Sequence, residues 1–367
     1  MLALYIHLPF CRKKCLYCSF AVAVAQNRWA DLYLDCLAAE AKAYRHRRLE
    51  TIYIGGGTPS LLKEYQLGRL FQMVKTIFDC SSVIELTIEV NPEDITLQKA
   101  VFLKSNGISR VSLGVQTFDD QHLQFLGRAH SAAQAIQAYD ILRRAGFENI
   151  NVDMMYALPR QTRRQLAWDM QIIQSLQPDH VSYYALTIEC PSRLHVIGTP
   201  LPDDTRQAAD YDNLTLTLAG QGLRQYEISN FARAGKESRH NINYWRMGNY
   251  IGLGLSAHSH FDGRRCWNTD RLKEYMNRMQ KDATAVSGRE ELTPPQRLSE
   301  ALVFGLRMNA GLDLMDLEKR FSVGLDDDTR KTIRFWVAHQ FLRQTGTHIS
   351  TTHKGRLVLD EISSRLI

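Results

Sequence analysis

The sequence lacks any long apolar run. Nowhere do roughly 18 apolar residues follow one another, so no membrane-spanning helix is expected. The opening stretch MLALYIHLPF has neither the basic start nor the small-residue cleavage site of a secretory signal. The chain is therefore expected to work in the cytoplasm. No basic run stands out, and the formal charge of +6 is mild for 367 residues. That balance gives no ground for a nucleic-acid partner, although it permits an anionic ligand. Low-complexity tracts and close repeats are also missing. Cysteines are few, and they are unevenly placed. Of seven, Cys36, Cys80, Cys190 and Cys266 are scattered and read as buried structural thiols. Cys11, Cys15 and Cys18 crowd into one short stretch, and no fourth cysteine joins them. In a reducing compartment such a cluster means metal or redox chemistry rather than disulfides.

What is present points to an α/β fold. A hydrophobic content of 44% supports a sizeable core, and 367 residues suggest two domains at roughly 150 each, or one large domain with an appendage. Six β-rich stretches recur: ALYIHLPF (3–10), TIYIGGGTP (51–59), VIELTIEVNP (83–92), RVSLGVQTF (110–118), NINVDMMYALP (149–159) and HVSYYALTIE (180–189). They read as near-continuously hydrophobic strands buried on both faces of a parallel sheet. Helical periods lie between them, at 29–44, 66–78, 96–106, 132–145 and 163–175, several closed by stops such as SNG and RAG. Another helix is predicted over 204–221. Each strand ends in chemistry that a plain core strand does not need: the cysteines, Gly55-Gly56-Gly57-Thr58, Glu89, Gln116 and Asp153. Chemistry gathered on one rim favours a partial (β/α)6 barrel of TIM type over an open sheet. The expected organisation is a barrel core over 1–235, a connecting segment over 236–290, and a small, mainly helical domain over 291–367. In the last, helices are predicted at 295–308, 313–321 and 328–340. A hairpin with strands near His348–Thr351 and Arg356–Leu359 gives it a winged-helix character.

Three thiolates hold three irons of a four-iron cluster and leave the fourth open to a small-molecule ligand, unlike an electron carrier closed by four cysteines. A structural zinc would need a fourth ligand such as His7, and the sequence offers no second CxxC pair. The stretch CRKKCLYC, a CxxxCxxC signature with an aromatic before the last cysteine, resembles the radical S-adenosylmethionine superfamily. YIHLPFC, IGGGTPS, IEVNP, SLGVQTF, LGRAH, VDMMYALPRQT and EALVFGLRMNAGL narrow the match. They resemble the oxygen-independent coproporphyrinogen III oxidase group. Phe20 stands where the oxidases carry a further cysteine, and only ten residues precede Cys11, where they carry a long extension. HNINYW (240–245) matches the HNxxYW motif of the group's heme-chaperone branch.

The resemblance implies a [4Fe–4S] cluster on Cys11, Cys15 and Cys18. It implies S-adenosylmethionine contacts from Tyr5, Tyr17, Gly56, Gly57, Thr58, Glu89, Gln116, Arg128, Asp153 and Ala185. Glycines let the backbone approach a ligand, a strand-end carboxylate suits a ribose hydroxyl or ammonium, and an arginine pairs with a carboxylate. Heme is the implied cargo. His240 is the candidate iron ligand, with Tyr244 and Trp245 packing the porphyrin, and His258 and His260 are further candidates. Against these stands a structural role for the motif. The function implied is heme binding and transfer to apo-hemoproteins, chiefly respiratory. The alternatives are an oxidase that converts coproporphyrinogen III to protoporphyrinogen IX, and a binding module with a vestigial cluster. Whether the chain is an enzyme, and whether it is a homodimer, stay open.

Overall fold

A computed structural model of the chain describes residues 1–366. Six strands, β1 (Leu2–Leu8), β2 (Thr51–Gly56), β3 (Glu85–Val90), β4 (Arg110–Gln116), β5 (Ile150–Tyr156) and β6 (His180–Ala185), pair in parallel in chain order. The helices Ala30–Ala41, Glu64–Ile77, Leu97–Ser105, Ala132–Arg144 and Arg163–Leu176 cross between them, and Asp204–Gly220 follows β6. Local signals set several boundaries. Ser131 with Gln134, and Thr162 with Gln165, form reciprocal capping boxes at two helix starts. The result is the partial (β/α)6 barrel of the sequence reading. It does not close: the sheet runs in linear order from one end strand to the other.

The strands are buried on both faces, as expected, but apolar on one only, which corrects the expectation of near-continuous hydrophobicity. Ile6, Ile54, Ile88, Val111, Leu113 and Val152 are fully buried against the helices. Each such side chain contributes roughly 1.5–3 kcal/mol by leaving water. The alternate residues form a polar, hydrogen-bonded interior: Tyr53 donates to Glu89 (2.8 Å), Ser112 to Asp153 (2.9 Å), and Asn151 to Ser112 (2.7 Å). The period of two separates the faces, so a run that looks uniformly hydrophobic carries a polar residue at alternate places.

The stretch 236–290 does more than connect. Asn249–Leu253 adds a seventh parallel strand beside β1, and His258–Phe261, Arg264–Asn268 and Val286–Glu291 extend the sheet antiparallel from it. A Cβ at Gly252 would stand 2.0 Å from the His258 carbonyl oxygen, so close packing within the sheet demands glycine. At the opposite edge, Asn230–Ala232 and Arg224–Gln225 continue antiparallel from β6.

A second hydrophobic core, including Leu298, Leu302, Leu306, Ile333, Trp336 and Ile349, holds the C-terminal part together. Its helices are Pro294–Leu306, Leu314–Phe321 and Asp327–Ala338. The hairpin is displaced from its predicted place: Leu342–Thr345 pairs with His348–Thr351, and 356–359 is not a strand. Gly346 at φ +61 makes the turn. After His348–Thr351, Thr352 caps the short helix His353–Arg356 instead.

Candidate functional site

A cavity of about 520 Å³ opens at the C-terminal ends of the strands. Its wall brings together Cys11, Cys15, Cys18, Tyr17, Gly56, Gly57, Thr58, Glu89, Gln116, Arg128, Asp153 and Ala185. Of the expected cofactor residues, Tyr5 is missing from the wall. It lies below, with its hydroxyl 2.9 Å from His7 Nδ1 and its ring 6.2 Å from that of Tyr53.

The cysteines sit on a pinned loop. Phe10–Cys11 pairs with Ala23–Val24, which ties the loop's two ends. Arg12 donates to Asp94 (2.7 Å), a buried carboxylate that also accepts from Ser60 (2.8 Å). The Leu16 N–H donates to the Leu126 carbonyl (3.0 Å). Cys11 is buried, while Cys15 and Cys18 are half-buried. Burial pushes the Cys11 thiol up to about 11 and raises that of Cys18. Donors face the sulfurs: Thr58 Oγ1 lies 3.6 Å from Cys11 Sγ, and Arg128 Nη1 3.6 Å from Cys15 Sγ. Among the described residues, no three His, Cys, Asp or Glu side chains converge to hold a single metal ion. His7, the fourth ligand that zinc would need, has both ring nitrogens engaged, by the Tyr5 hydroxyl and the Ala21 carbonyl (3.1 Å). Burial lowers its pKa to about 4. Three thiols spread around one cavity, with cationic and hydroxyl donors aimed at them, fit a multi-iron cluster better than a lone zinc.

Opposite the thiols, three glycines allow a crowded turn. Gly56 has φ +107 with His7 packed against it, and a Cβ at Gly57 would meet the Pro9 carbonyl carbon at 2.7 Å. Glu89 accepts from the Gly56 N–H (3.0 Å) and the Tyr53 hydroxyl. Burial, reinforced by Asp153, pushes its pKa up to about 7. Asp153 accepts from Ser112, Asn151 (2.7 Å) and Tyr184 (2.9 Å). Gln116 ends β4 at a register shift and holds φ +78, a strained value for a residue with a side chain. Arg128 follows Gly127, whose φ of +79 ends the helix Asp120–Leu126 and turns the chain back to the cavity. Its guanidinium donates to Asn91 Oδ1 (2.8 Å) and the Gly114 carbonyl (2.6 Å), while Nε has no partner.

The other end of the barrel holds the HNxxYW motif, and its geometry favours the structural role over iron ligation. His240 starts the helix Arg239–Trp245 and is fully buried. Nδ1 is 3.0 Å from Thr51 Oγ1 and Nε2 is 2.9 Å from the Tyr244 hydroxyl. Thr51 begins β2, so the imidazole sits at the N-terminal rim, across the barrel from the thiols. Burial, with Arg110 nearby, lowers its pKa to about 3. Neither nitrogen is free for iron. Tyr244 packs on Tyr250 (4.7 Å), and Trp245 lies under Arg307 (4.5 Å) and near Phe304 (6.4 Å), so the motif joins barrel to C-terminal core. His258 stacks on Trp267, and His260 points to the Gly248 carbonyl (3.4 Å); neither lines the cavity.

Two contributors escaped the sequence reading. Asn91 bridges Arg128 to Thr58, to which it donates (3.3 Å), and its signal was its place just after β3. Asp94 anchors the cysteine loop from afar, which no local pattern announces. Cys190 is exposed, and Cys80 and Cys266 are only partly buried, against the expectation of buried thiols.

Residues 5–172 match the Radical SAM superfamily, and residues 292–358 match the HemN C-terminal domain. The chain is 33% identical over 377 residues to the heme chaperone HemW of Bacillus subtilis, covering 99% of this chain and 98% of that one. It is 34% identical over 328 residues to the mitochondrial radical S-adenosyl methionine domain-containing protein 1 of Danio rerio, covering 84% of this chain and 73% of that one. The solved structure of Escherichia coli coproporphyrinogen III oxidase (HemN), described as a radical SAM enzyme, has a TM-score of 0.89 at 25% identity. That match covers 100% of this chain and 89% of the oxidase. Fold and cysteine site together define the class of radical SAM proteins, which carry a [4Fe–4S] cluster and S-adenosylmethionine. Within that class, this chain belongs to the HemW family. Among the described residues, no helix is long and apolar enough to cross a membrane.

Proposed function

We propose that this chain binds heme and passes it to apo-proteins, chiefly respiratory ones, in the cytoplasm. The scaffold holds the cluster on Cys11, Cys15 and Cys18 with S-adenosylmethionine beside it. When bound, such a cluster supplies one open iron position and an electron. The chain's own residues shape the rest. The Gly56–Thr58 turn brings main-chain groups to the methionine end, and Arg128 pairs with its carboxylate. Glu89 and Asp153 take ribose hydroxyls or the ammonium. Gln116, Tyr17 and Ala185 line the wall, and Tyr5 supports it from below.

The observation behind the heme half is Phe20. It lines the cavity mouth at 62% exposure, in a chain similar from end to end to a heme chaperone. An apolar ring held in water there suits a porphyrin. The likeness in shape to coproporphyrinogen III oxidase favours a second reading, oxidative decarboxylation of coproporphyrinogen III. One anaerobic experiment separates them. Cluster-loaded protein is titrated with hemin, offered apomyoglobin as acceptor, and in parallel given S-adenosylmethionine, reductant and coproporphyrinogen III. Micromolar hemin binding with transfer, and no protoporphyrinogen IX, is the expected result. Sustained turnover to protoporphyrinogen IX would replace the chaperone reading with the oxidase.

A further inference from the structure

A heme site needs an apolar face for the ring, cations for the two propionates and a donor for the iron. At the base of the barrel His240 offers no donor to iron, because both its ring nitrogens are engaged. The cavity mouth and the segment 190–197, which follows its last lining residue Glu189, carry all three between them. Phe20, Val196 and Ile197 are 62%, 69% and 53% exposed. Lys13 and Lys14 line the mouth beside Phe20, and Lys14 donates to the Phe20 carbonyl (3.3 Å). Cys190 and His195 stand exposed on the segment that carries Val196 and Ile197.

Hydrogen bonds hold that segment against the cysteine loop. The Leu194 N–H donates to the Leu16 carbonyl (3.0 Å), and Ser19 Oγ donates to Glu189 (2.7 Å). Leu194 packs into the small apolar cluster that includes Leu16 and Tyr17. Glu189 accepts from Ser19, and neither lysine forms an ion pair with it. Apolar side chains usually surface singly; here Phe20 shares the mouth with two lysines, and Val196 and Ile197 share their segment with an exposed thiol and imidazole.

We infer that heme docks on this rim. Its ring lies across Phe20, Val196 and Ile197, its propionates face Lys13 and Lys14, and its iron is ligated from the segment 190–195 by Cys190 or His195. This assignment rests on the heme-chaperone reading and locates its cargo.

Hemin is the probe, titrated anaerobically into the cluster-loaded chain and followed by its Soret band, with iron and sulfide content measured for every variant. In the double variant C190S/H195A, the ligated Soret spectrum is lost and binding weakens more than about ten-fold. V196D/I197D weakens binding by about ten-fold. K13E/K14E weakens it by roughly three-fold per charge and blunts its salt dependence. These side chains are exposed except Lys14, which is half-buried, and unchanged iron and sulfide content checks that each variant folds. H240Q binds hemin with the wild-type spectrum. A C190S/H195A variant that keeps the wild-type spectrum and affinity overturns the rim site while leaving the chaperone reading intact. A wild-type chain that fails to bind micromolar hemin overturns both.

Discussion

At the base of the barrel, Glu85 accepts from Ser238 Oγ (3.3 Å) and from the N–H groups of Arg239 (2.8 Å) and His240 (3.1 Å), and His240 has both nitrogens engaged. At the mouth, three thiols border a cavity, Arg128 keeps one nitrogen without a partner, and Gln116 holds a strained backbone. Both ends bury polar groups, and Nε of Arg110 at the base lacks a partner just as Nε of Arg128 does, but of the two only Arg128 lines the cavity. A histidine or carboxylate is available to a ligand only when nothing in the fold has already claimed it.

The contrast can be tested from both sides. The largest effect is expected at the mouth: Cys15→Ser abolishes the cluster, read as loss of bound iron and sulfide, while thermal unfolding of the apo-chain barely moves. Next comes Glu85→Ala at the base, which orphans three donors in a buried network. It costs on the order of 3–5 kcal/mol in denaturant unfolding. A chain that tolerated it would remove the distinction between the ends.

The third prediction concerns pH. Burial raises the pKa of Glu89 to about 7, above the usual carboxylate range, so the folded chain holds a proton that the unfolded chain releases. That contribution is complete below about pH 4.5 and is lost as pH rises through about 7, on the order of 2–3 kcal/mol. Glu89→Gln removes this share of the slope between pH 5 and 7 and weakens S-adenosylmethionine binding. Glu40, buried under Tyr275 and Gly254 far from the cavity and also raised to about 7, keeps its own share as an internal comparison. The smallest effect is His240→Gln, about 1 kcal/mol of stability with cluster content unchanged.

Much of this was legible in the sequence. The six strands and their helices fall within a few residues of their predicted places, because turn and capping signals are strong there. The strand-end chemistry converges as predicted, because parallel strands deliver their C-terminal ends to one rim. The rest was hidden for physical reasons. The polar interior looked apolar because a run of Ile and Leu masks residues of period two such as Tyr53 and Ser112. The strands at 249–291 fall in what the sequence marks only as a connecting segment, because their mixed polar and glycine-bearing run lacks the apolar texture of the six core strands. His240 looked like a ligand because a sequence shows an imidazole but not its partners Thr51 and Tyr244, which close it off.

The unclosed sheet carries a final consequence. Two free edges on a twelve-stranded sheet are invitations to recruit another polypeptide. One edge is the two-residue strand Arg224–Gln225, too short to template anything. The other, Val286–Glu291, carries Arg289, Glu290 and Glu291, and two of these pair with Arg265 and Arg264 of the neighbouring strand. Brevity guards one margin and charge the other. A barrel left open in this way escapes fibrillar self-association without having to close.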